Sequence, residues 1–212
     1  MICVSILEKN AENCMQAIKG LACAEIRLDQ TQVSLKEIDQ LFSQPIKLIA
    51  TCRPGKVSDI ERKQMLLRAI TSGATYVDIE VEAPEEYKKE IIAHARKNKV
   101  TIISSYHNYE KTPSKRELEH IIDWCFESDI DIAKIACLVE KENDIARLLG
   151  LLGNGKKIIA IGMGERGKLT RVLGPLLGSP LTYACLSKGK ETADGQIDYK
   201  TLEKKIQELQ EI

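Results

Sequence analysis

The feature that most constrains the fold is a regular alternation of short apolar runs with longer segments of helical periodicity. Eight runs rich in β-branched residues predict β-strands. They are ICVSIL (2–7), AEIRLD (24–29), IKLIATC (46–52), ATYVDIEV (74–81), VTIISSYH (100–107), DIAKIACL (131–138), KIIAIGM (157–163) and LTYACL (181–186). The segments between them carry apolar residues at helical spacing. This alternation predicts parallel strands joined by right-handed crossovers.

Chain length narrows the choice among α/β architectures. Eight strand–helix units in 212 residues leave about 26 residues for each unit, so the units use the whole chain. We therefore predict a (β/α)8 TIM barrel that forms a single catalytic domain over residues 1–212. A doubly wound open sheet is the alternative. The first predicted strand is not followed by G-x-G-x-x-G, which argues against a dinucleotide-binding version of that sheet.

The composition argues against several classes of function. Lys and Arg together number 31, as do Asp and Glu, and no basic tail or stripe supports nucleic-acid binding. The first residues lack the regions of a signal peptide, and no apolar run approaches the ~18 residues of a membrane helix. Seven cysteines without C-x-x-C spacing predict reduced thiols and no metal site. We expect a cytoplasmic protein that binds neither nucleic acid nor membrane.

Charged residues alternate with apolar ones in two of the predicted strands. Glu25, Arg27 and Asp29 share one face of the second strand, and Asp78, Glu80 and Glu82 share one face of the fourth. Helices cover the outside of a barrel with apolar contacts, so these charges should point inward, near the mouth where barrel active sites lie. A purely structural network of ion pairs is the alternative to a catalytic role.

A lysine interrupts the apolar run DIDIAKIACLV (129–139). Lys134 is predicted to share an inward face with Ile132 and Ala136. Lysine is almost never fully buried without a partner, and burial favours its uncharged, nucleophilic form. His107 ends the preceding predicted strand, which places an imidazole beside the amine as a candidate general acid and base. The two residues together predict imine chemistry.

Two arginines at strand ends indicate an anionic substrate. Arg53 ends the third predicted strand, and Arg171 follows GMGERGKLT after the seventh. A guanidinium in such a position can bind a carboxylate through two hydrogen bonds. An exposed arginine at a helix start is the alternative reading of Arg171. The polar loop SKGKETADGQ (187–196) has the composition of a lid that closes over a substrate.

Seven short motifs, in this order, resemble those of the type I 3-dehydroquinate dehydratase family (type I dehydroquinases). They are EIRLD (25–29), TCR (51–53), DIE (78–80), SSYH (104–107), KIA (134–136), MGERGKLTR (163–171) and TADGQ (192–196). The resemblance covers nearly the whole chain. It implies a TIM-barrel lyase of the shikimate pathway, in aromatic amino-acid biosynthesis, that converts 3-dehydroquinate to 3-dehydroshikimate and water without a metal or organic cofactor. It also implies a homodimer.

The resemblance implies a role for each matching residue. Lys134 would form an imine with the C3 ketone, and His107 would remove the C2 proton and protonate the departing C1 hydroxyl. Arg171 would bind the substrate carboxylate. The polar contacts and lid residues implied by the resemblance are Ser5, Glu25, Arg27, Arg53, Thr192 and Gln196.

The chain departs from the family pattern where a glutamate usually orients the histidine. Val57, Ser58 and Asp59 replace the usual Glu-Gly-Gly, and Asn108 follows His107 where aspartate is common. Asp59, Asp78 and Glu80 are the candidates for the orienting carboxylate. The lid reads TADGQ instead of Ser-Ala-Pro-Gly-Gln, which keeps a hydroxyl at Thr192.

Two other functions fit parts of the same pattern. A class I aldolase would share Lys134 but would cleave a carbon–carbon bond, often on a phosphorylated sugar. The absence of a clear phosphate-binding loop in the sequence favours a carboxylate substrate instead. A non-catalytic binding barrel is the second alternative, and it would form no covalent adduct.

Overall fold

The computed structural model describes residues 1–211, in which eight β-strands alternate with eight α-helices. The strands are β1 (Ile2–Ile6), β2 (Cys23–Arg27), β3 (Lys47–Thr51), β4 (Tyr76–Glu80), β5 (Thr101–Asn108), β6 (Ile132–Leu138), β7 (Ile158–Met163) and β8 (Thr182–Cys185). The helices are α1 (Ala11–Ala17), α2 (Leu35–Phe42), α3 (Asp59–Thr71), α4 (Glu85–Lys97), α5 (Lys115–Phe126), α6 (Glu142–Leu149), α7 (Lys168–Leu176) and α8 (Tyr199–Gln210), with a 3-10 helix at Glu165–Gly167. Each predicted strand overlaps an observed one, and their ends differ by at most two residues.

All eight strands belong to one parallel sheet in the order β7-β6-β5-β4-β3-β2-β1-β8. Because β1 pairs with both β2 and β8, the sheet curves into a nearly closed barrel with its helices outside. The predicted (β/α)8 barrel is confirmed, and the alternative of a doubly wound open sheet is wrong.

Alternate residues of β6 point to opposite sides of the barrel wall. Ile132 and Ala136 belong to the apolar cluster inside the barrel, together with residues of β1, β5 and β7. Ala133 and Ile135 belong to a second cluster, which includes Leu118 of α5. Since side chains two apart on a strand share a face, Lys134 lies on the inner side, as predicted.

Helix α7 connects the two edge strands, between which the described residues form no ladder. Gly162 of β7 donates its backbone N–H to Thr170 Oγ1 at 2.7 Å, and Thr182 of β8 donates its hydroxyl to the carbonyl oxygen of Arg171 at 2.8 Å. A Cβ on Gly162 would lie 2.7 Å from the Cα of Gly167, so only glycine allows this close approach. Bonds to α7 therefore connect β7 and β8 across the seam, which is the gap between these two edge strands, and they fix the position of Arg171.

Two further observations concern the membrane and the thiols. No helix within residues 1–211 combines the length and the apolar character needed to cross a bilayer. All seven cysteines fall within the described residues, where they are free and buried.

Candidate active site

One cavity of about 390 Å³ lies at the carboxyl ends of the strands. All nine residues predicted from the sequence line it, namely Ser5, Glu25, Arg27, Arg53, His107, Lys134, Arg171, Thr192 and Gln196. They come from five strands and strand ends, from helix α7 and from the loop between β8 and α8. The structure therefore brings these nine residues together in the place where barrel enzymes hold their active sites.

Lys134 presents its amine to this cavity from inside the barrel wall. The residue is only 6% exposed, and its Nζ donates a hydrogen bond to Asp78 Oδ2 at 3.0 Å. A second carboxylate oxygen, Glu25 Oε1, lies 4.0 Å away. The ring of Tyr183 lies beneath the amine, with 4.5 Å between Nζ and the ring centroid. The lysine thus has the partners that burial demands.

The two carboxyl groups beside Lys134 are ionised. Burial alone would raise the pKa of Asp78, but the charges of Arg53 and Lys134 bring that pKa far below its ordinary value. Burial likewise opposes ionisation of Glu25, and Lys134 and Arg27 overcome it to lower the pKa of that carboxyl. The amine therefore faces fixed negative charge, which stabilises any cation that forms at Nζ.

His107 lies near the end of β5, on the strand next to Lys134. In the pairing of β5 with β6, Ser105 is opposite Lys134 and His107 is two positions further toward the mouth. The Nδ1 atom of His107 lies 3.1 Å from Glu80 Oε2. The neighbouring Tyr109 stacks on the imidazole with 6.1 Å between the ring centroids.

Glu80 determines which nitrogen of His107 carries the proton. Although burial raises the pKa of Glu80, Arg53 and the bond to His107 lower it to about 2. An ionised carboxylate only accepts hydrogen bonds, so Nδ1 is the donor and Nε2 is the free basic atom. Of the three candidates for the orienting carboxylate, Glu80 is the one that contacts the imidazole. Asp59 instead binds Arg62 at 2.5 Å, and Asp78 binds Lys134.

The surroundings of His107 favour its neutral form. Burial lowers the pKa of the imidazole, and the charge of Arg53 lowers it further, while the bond to Glu80 partly opposes both. A histidine with a lowered pKa is unprotonated at neutral pH, and it can therefore act as a base at Nε2.

Arg53 joins the carboxylates of β4 into one unit. Its guanidinium donates two hydrogen bonds to Asp78, at 2.9 and 2.8 Å, one to Glu80 at 2.6 Å and one to the hydroxyl of Ser105 at 2.8 Å. Arg27 is engaged in the same manner, since it donates two bonds to Asp29 at 3.0 and 2.8 Å. Both arginines line the cavity, but their guanidinium groups already have carboxylate partners.

Arg171 differs from Arg53 and Arg27 in that no carboxylate of the described residues pairs with its guanidinium. It is only 1% exposed, which contradicts the reading of an exposed helix-start arginine. Within residues 1–211 the only hydrogen bond from its guanidinium runs from NH1 to the carbonyl oxygen of Tyr183 at 3.1 Å, and its buried Nε has no partner. Burial lowers its pKa to about 10, so the group is still a cation at neutral pH. A buried cation without a carboxylate partner is costly, and a bound anion would compensate for it.

A polar network connects the floor of the cavity to the loop above it. Ser5 donates its hydroxyl to Glu25 Oε2 at 2.8 Å, and Thr51 donates to Glu25 Oε1 at 2.9 Å. Gln196 reaches the hydroxyl of Ser5 at 3.5 Å and donates to the hydroxyl of Thr192 at 3.0 Å. The predicted lid residues thus lie directly over the predicted substrate contacts.

Several residues at the site escaped the sequence reasoning. Tyr183 lines the cavity beneath Lys134, but LTYACL is apolar throughout, so no alternation reveals which face is inside. Thr51, which donates to Glu25 but does not itself line the cavity, has no charge that would mark it within TCR. Tyr109 lies outside β5, where strand periodicity gives no orientation.

Fold and cavity together define a single-domain (β/α)8 barrel enzyme with its site at the carboxyl ends of the strands. The family model for type I 3-dehydroquinase matches residues 2–212. The chain belongs to this family. The resemblance drawn from the seven motifs is therefore confirmed.

Individual relatives agree with the family match. The chain is 39% identical to 3-dehydroquinate dehydratase of Methanocaldococcus jannaschii, over 95% of this chain and 96% of that one. It is 33% identical to the protein of the same name in Dehalococcoides mccartyi, over 92% and 90% of the two chains. A crystal structure of type I 3-dehydroquinate dehydratase from Clostridium difficile, with covalently modified comenic acid, aligns with a TM-score of 0.87 at 25% identity, over 99% and 92% of the two chains.

Proposed function

We propose that Lys134 and His107 carry out the dehydration of 3-dehydroquinate in this chain. The activity follows from the family: the chain is a lyase that removes water from 3-dehydroquinate, a step of the shikimate pathway. The observation that carries the assignment of residues is a buried amine that shares one cavity with an oriented imidazole and with an arginine lacking a carboxylate partner.

Lys134 begins the reaction as the nucleophile. Its neutral amine attacks the C3 carbonyl of the substrate, and loss of water from the adduct leaves a protonated imine. Asp78, 3.0 Å from Nζ and ionised, is placed to balance the positive charge of this imine. The imine withdraws electrons from the C2–H bond and so acidifies that proton.

His107 then moves the protons. Its Nε2 takes the C2 proton and gives an enamine, whose electrons expel the C1 hydroxyl as the same nitrogen returns the proton to it. Water leaves, and hydrolysis of the imine releases 3-dehydroshikimate and restores Lys134. Glu80 keeps Nδ1 protonated throughout, because its hydrogen bond holds that tautomer.

Arg171 supplies the binding site for the substrate carboxylate. A carboxylate that accepts bonds from this guanidinium removes the cost of its unpartnered buried Nε. Ser5 and Glu25 can bond the ring hydroxyls, with Arg27 and Arg53 holding the carboxylates around them. Thr192 and Gln196 close the site from above.

Trapping with borohydride tests the assignment directly. Incubation with 3-dehydroquinate and borohydride should add one reduced ligand per chain, and peptide mass mapping should place it on Lys134. Lys134→Met should abolish both the adduct and turnover while leaving the fold intact by circular dichroism. Lys88→Met is a matched control, since Lys88 is equally buried but does not line the cavity. The Lys88→Met variant should still form the adduct on Lys134.

The same experiment separates the alternatives. An adduct on another lysine, or near-normal turnover in Lys134→Met, would contradict the assignment. A non-catalytic barrel gives no adduct. An aldolase gives no rise in ultraviolet absorbance with 3-dehydroquinate, whereas the dehydratase produces a conjugated ketone that absorbs.

The molecular context remains a proposal as well. We propose that residues 1–212 act as one catalytic domain, that the chain forms a homodimer, and that it acts in the cytoplasm without a metal or organic cofactor. The family resemblance supports the dimer, and the seven free, buried cysteines suit a reducing compartment. Light scattering coupled to size-exclusion chromatography tests the dimer, since a monomer mass at working concentration would contradict it.

A further inference from the structure

Tyr183 is a cavity residue that contacts both the amine of Lys134 and the guanidinium of Arg171. Its ring lies under Lys134 Nζ, and its carbonyl oxygen accepts the bond from Arg171. The residue is 3% exposed and belongs to the apolar cluster inside the barrel. The side chain therefore touches the atom that forms the imine.

The hydroxyl of Tyr183 does not explain why an aromatic residue lies there. It is buried and has no hydrogen-bond partner within residues 1–211. Burial raises its pKa well above the ordinary value for tyrosine, so the ring is neutral. A phenol without a partner costs free energy on burial, so the useful part of the side chain is the face of the ring.

A ring face in this position has a chemical use. Aromatic rings attract cations within about 6 Å of the centroid, and the attraction grows when water is excluded. The imine on Lys134 reacts in its protonated form, which is a flat cation, whereas the neutral amine that attacks the substrate and the neutral enamine formed later gain little from the ring. The ring therefore favours the protonated imine over the neutral amine and the neutral enamine.

We propose that Tyr183 is a catalytic residue whose ring face stabilises the protonated imine on Lys134. The inference rests on the proposed role of Lys134. It adds a cation–π contact on one side of the imine to the negative charge that Asp78 places beside it.

A graded series of rings of nearly the same shape tests the inference. Tyr183→Phe removes only the unpartnered hydroxyl, so it should keep kcat within about twofold. Phenylalanines with one, two and three ring fluorines at position 183 keep the shape but weaken the attraction for a cation. Both kcat and the fraction of chain trapped by borohydride at saturating 3-dehydroquinate should fall stepwise with fluorination. Tyr183→Leu, which has no ring, should lower kcat roughly tenfold.

Controls separate the ring effect from damage to the barrel. Tyr76 packs against the same interior cluster without lining the cavity, so the same fluorinated residues at position 76 should leave kcat and trapping unchanged. A flat response across the series at position 183 would overturn the inference, even if Tyr183→Leu fails to fold. Absence of any adduct in the unmodified chain would overturn the role of Lys134 together with it. An adduct that is insensitive to ring fluorination overturns the role of Tyr183 alone.

Discussion

At the residue scale, this site is organised by which charges already have partners. Arg53 and Arg27 are paired with the carboxylates of Asp78, Glu80 and Asp29, so these bonds fix the positions of both guanidinium groups at the cavity. Arg171 has no such carboxylate among the described residues, so it remains free to bind an anion. The arginines of this site therefore differ in whether a carboxylate of the protein already pairs with them.

Glu80→Gln tests the positioning of the base. The bond to Glu80 raises the pKa of His107 against burial and Arg53, so its loss should lower that pKa further. The acid limb of kcat/KM, which falls as His107 becomes protonated, should move to lower pH than in the unmodified enzyme. The kcat value should fall on the order of tenfold to hundredfold, because the tautomer and the ring orientation are no longer held.

Glu82→Gln is the matched control for this change, because Glu82 is exposed and does not contact the imidazole. Its pH profile should match that of the unmodified enzyme. An acid limb that moves to higher pH in Glu80→Gln, or does not move at all, would show that Glu80 does not orient the base.

Arg171→Met should separate binding from stability. Losing the charged contact to the substrate carboxylate should raise KM about 10- to 100-fold, since a hydrogen bond to a charged group contributes about 1.5–3 kcal/mol. The same change removes a buried cation that has no carboxylate partner in the described chain, so Tm should stay equal or rise. Kinetics with 3-dehydroquinate and thermal unfolding measure the two effects. A large fall in Tm with unchanged KM would instead mark Arg171 as structural.

At the scale of elements, the loop between β8 and α8 is docked on the loop that follows β7. Gly164 donates its backbone N–H to the carbonyl oxygen of Asp194 at 3.1 Å. Gly195 has φ of +76°, and a Cβ there would lie only 2.1 Å from the carbonyl oxygen of Gly164. The lid therefore reaches its position over the cavity through a contact that only glycine permits.

Gly195→Ala should hold the lid away from the cavity. We expect kcat/KM to fall more than about tenfold with little change in Tm, because Thr192 and Gln196 are displaced from the substrate. Gly189→Ala is the control, since Gly189 lies in the same loop with φ of +87° but has open space around it. Equal losses in both variants would trace the effect to backbone strain and not to lid docking.

At the scale of the whole molecule, helix α7 connects β7 and β8, the two edge strands of the barrel, between which the described residues form no ladder. The hydroxyl of Thr170 holds α7 to the β7 side, since it accepts from Gly162 at 2.7 Å and donates to the carbonyl oxygen of Gly167 at 2.7 Å. Thr182 of β8 donates to the carbonyl oxygen of Arg171 in α7, so the two sets of bonds bridge the edge strands through the helix. Because every strand contributes to one sheet, loss of this bridge should weaken the entire barrel.

Thr170→Val should lower the free energy of unfolding by about 2–4 kcal/mol, because two buried backbone groups lose their partner. Urea denaturation measures the change, and a single cooperative transition is expected because the strands form one sheet. Thr170→Ser keeps the hydroxyl and should lose much less. A destabilisation of equal size in Thr170→Ser would assign the effect to the lost methyl group.

The amino-acid sequence by itself determined the eightfold strand–helix alternation and the side of each strand on which charges lie. Both are local properties, since strand periodicity tells which residues share a face with Glu25, Asp78 and Lys134. The predicted barrel, with apolar helix contacts outside, then makes that face the inner one. The family motifs added an expectation for each of nine cavity residues, and the structure brings all nine together.

Only the tertiary structure decided which of these charges pair. Lys134 and Asp78 are 56 positions apart, and His107 and Glu80 are 27 apart, so their contacts exist only once the barrel has formed. Three further arrangements depend on the folded barrel. Glu80, and not Asp59, lies beside the imidazole. Arg171 lacks a carboxylate partner among the described residues, and the ring of Tyr183 lies beneath the amine of Lys134. Pairing depends on distance in space, which the periodicity of a strand does not encode.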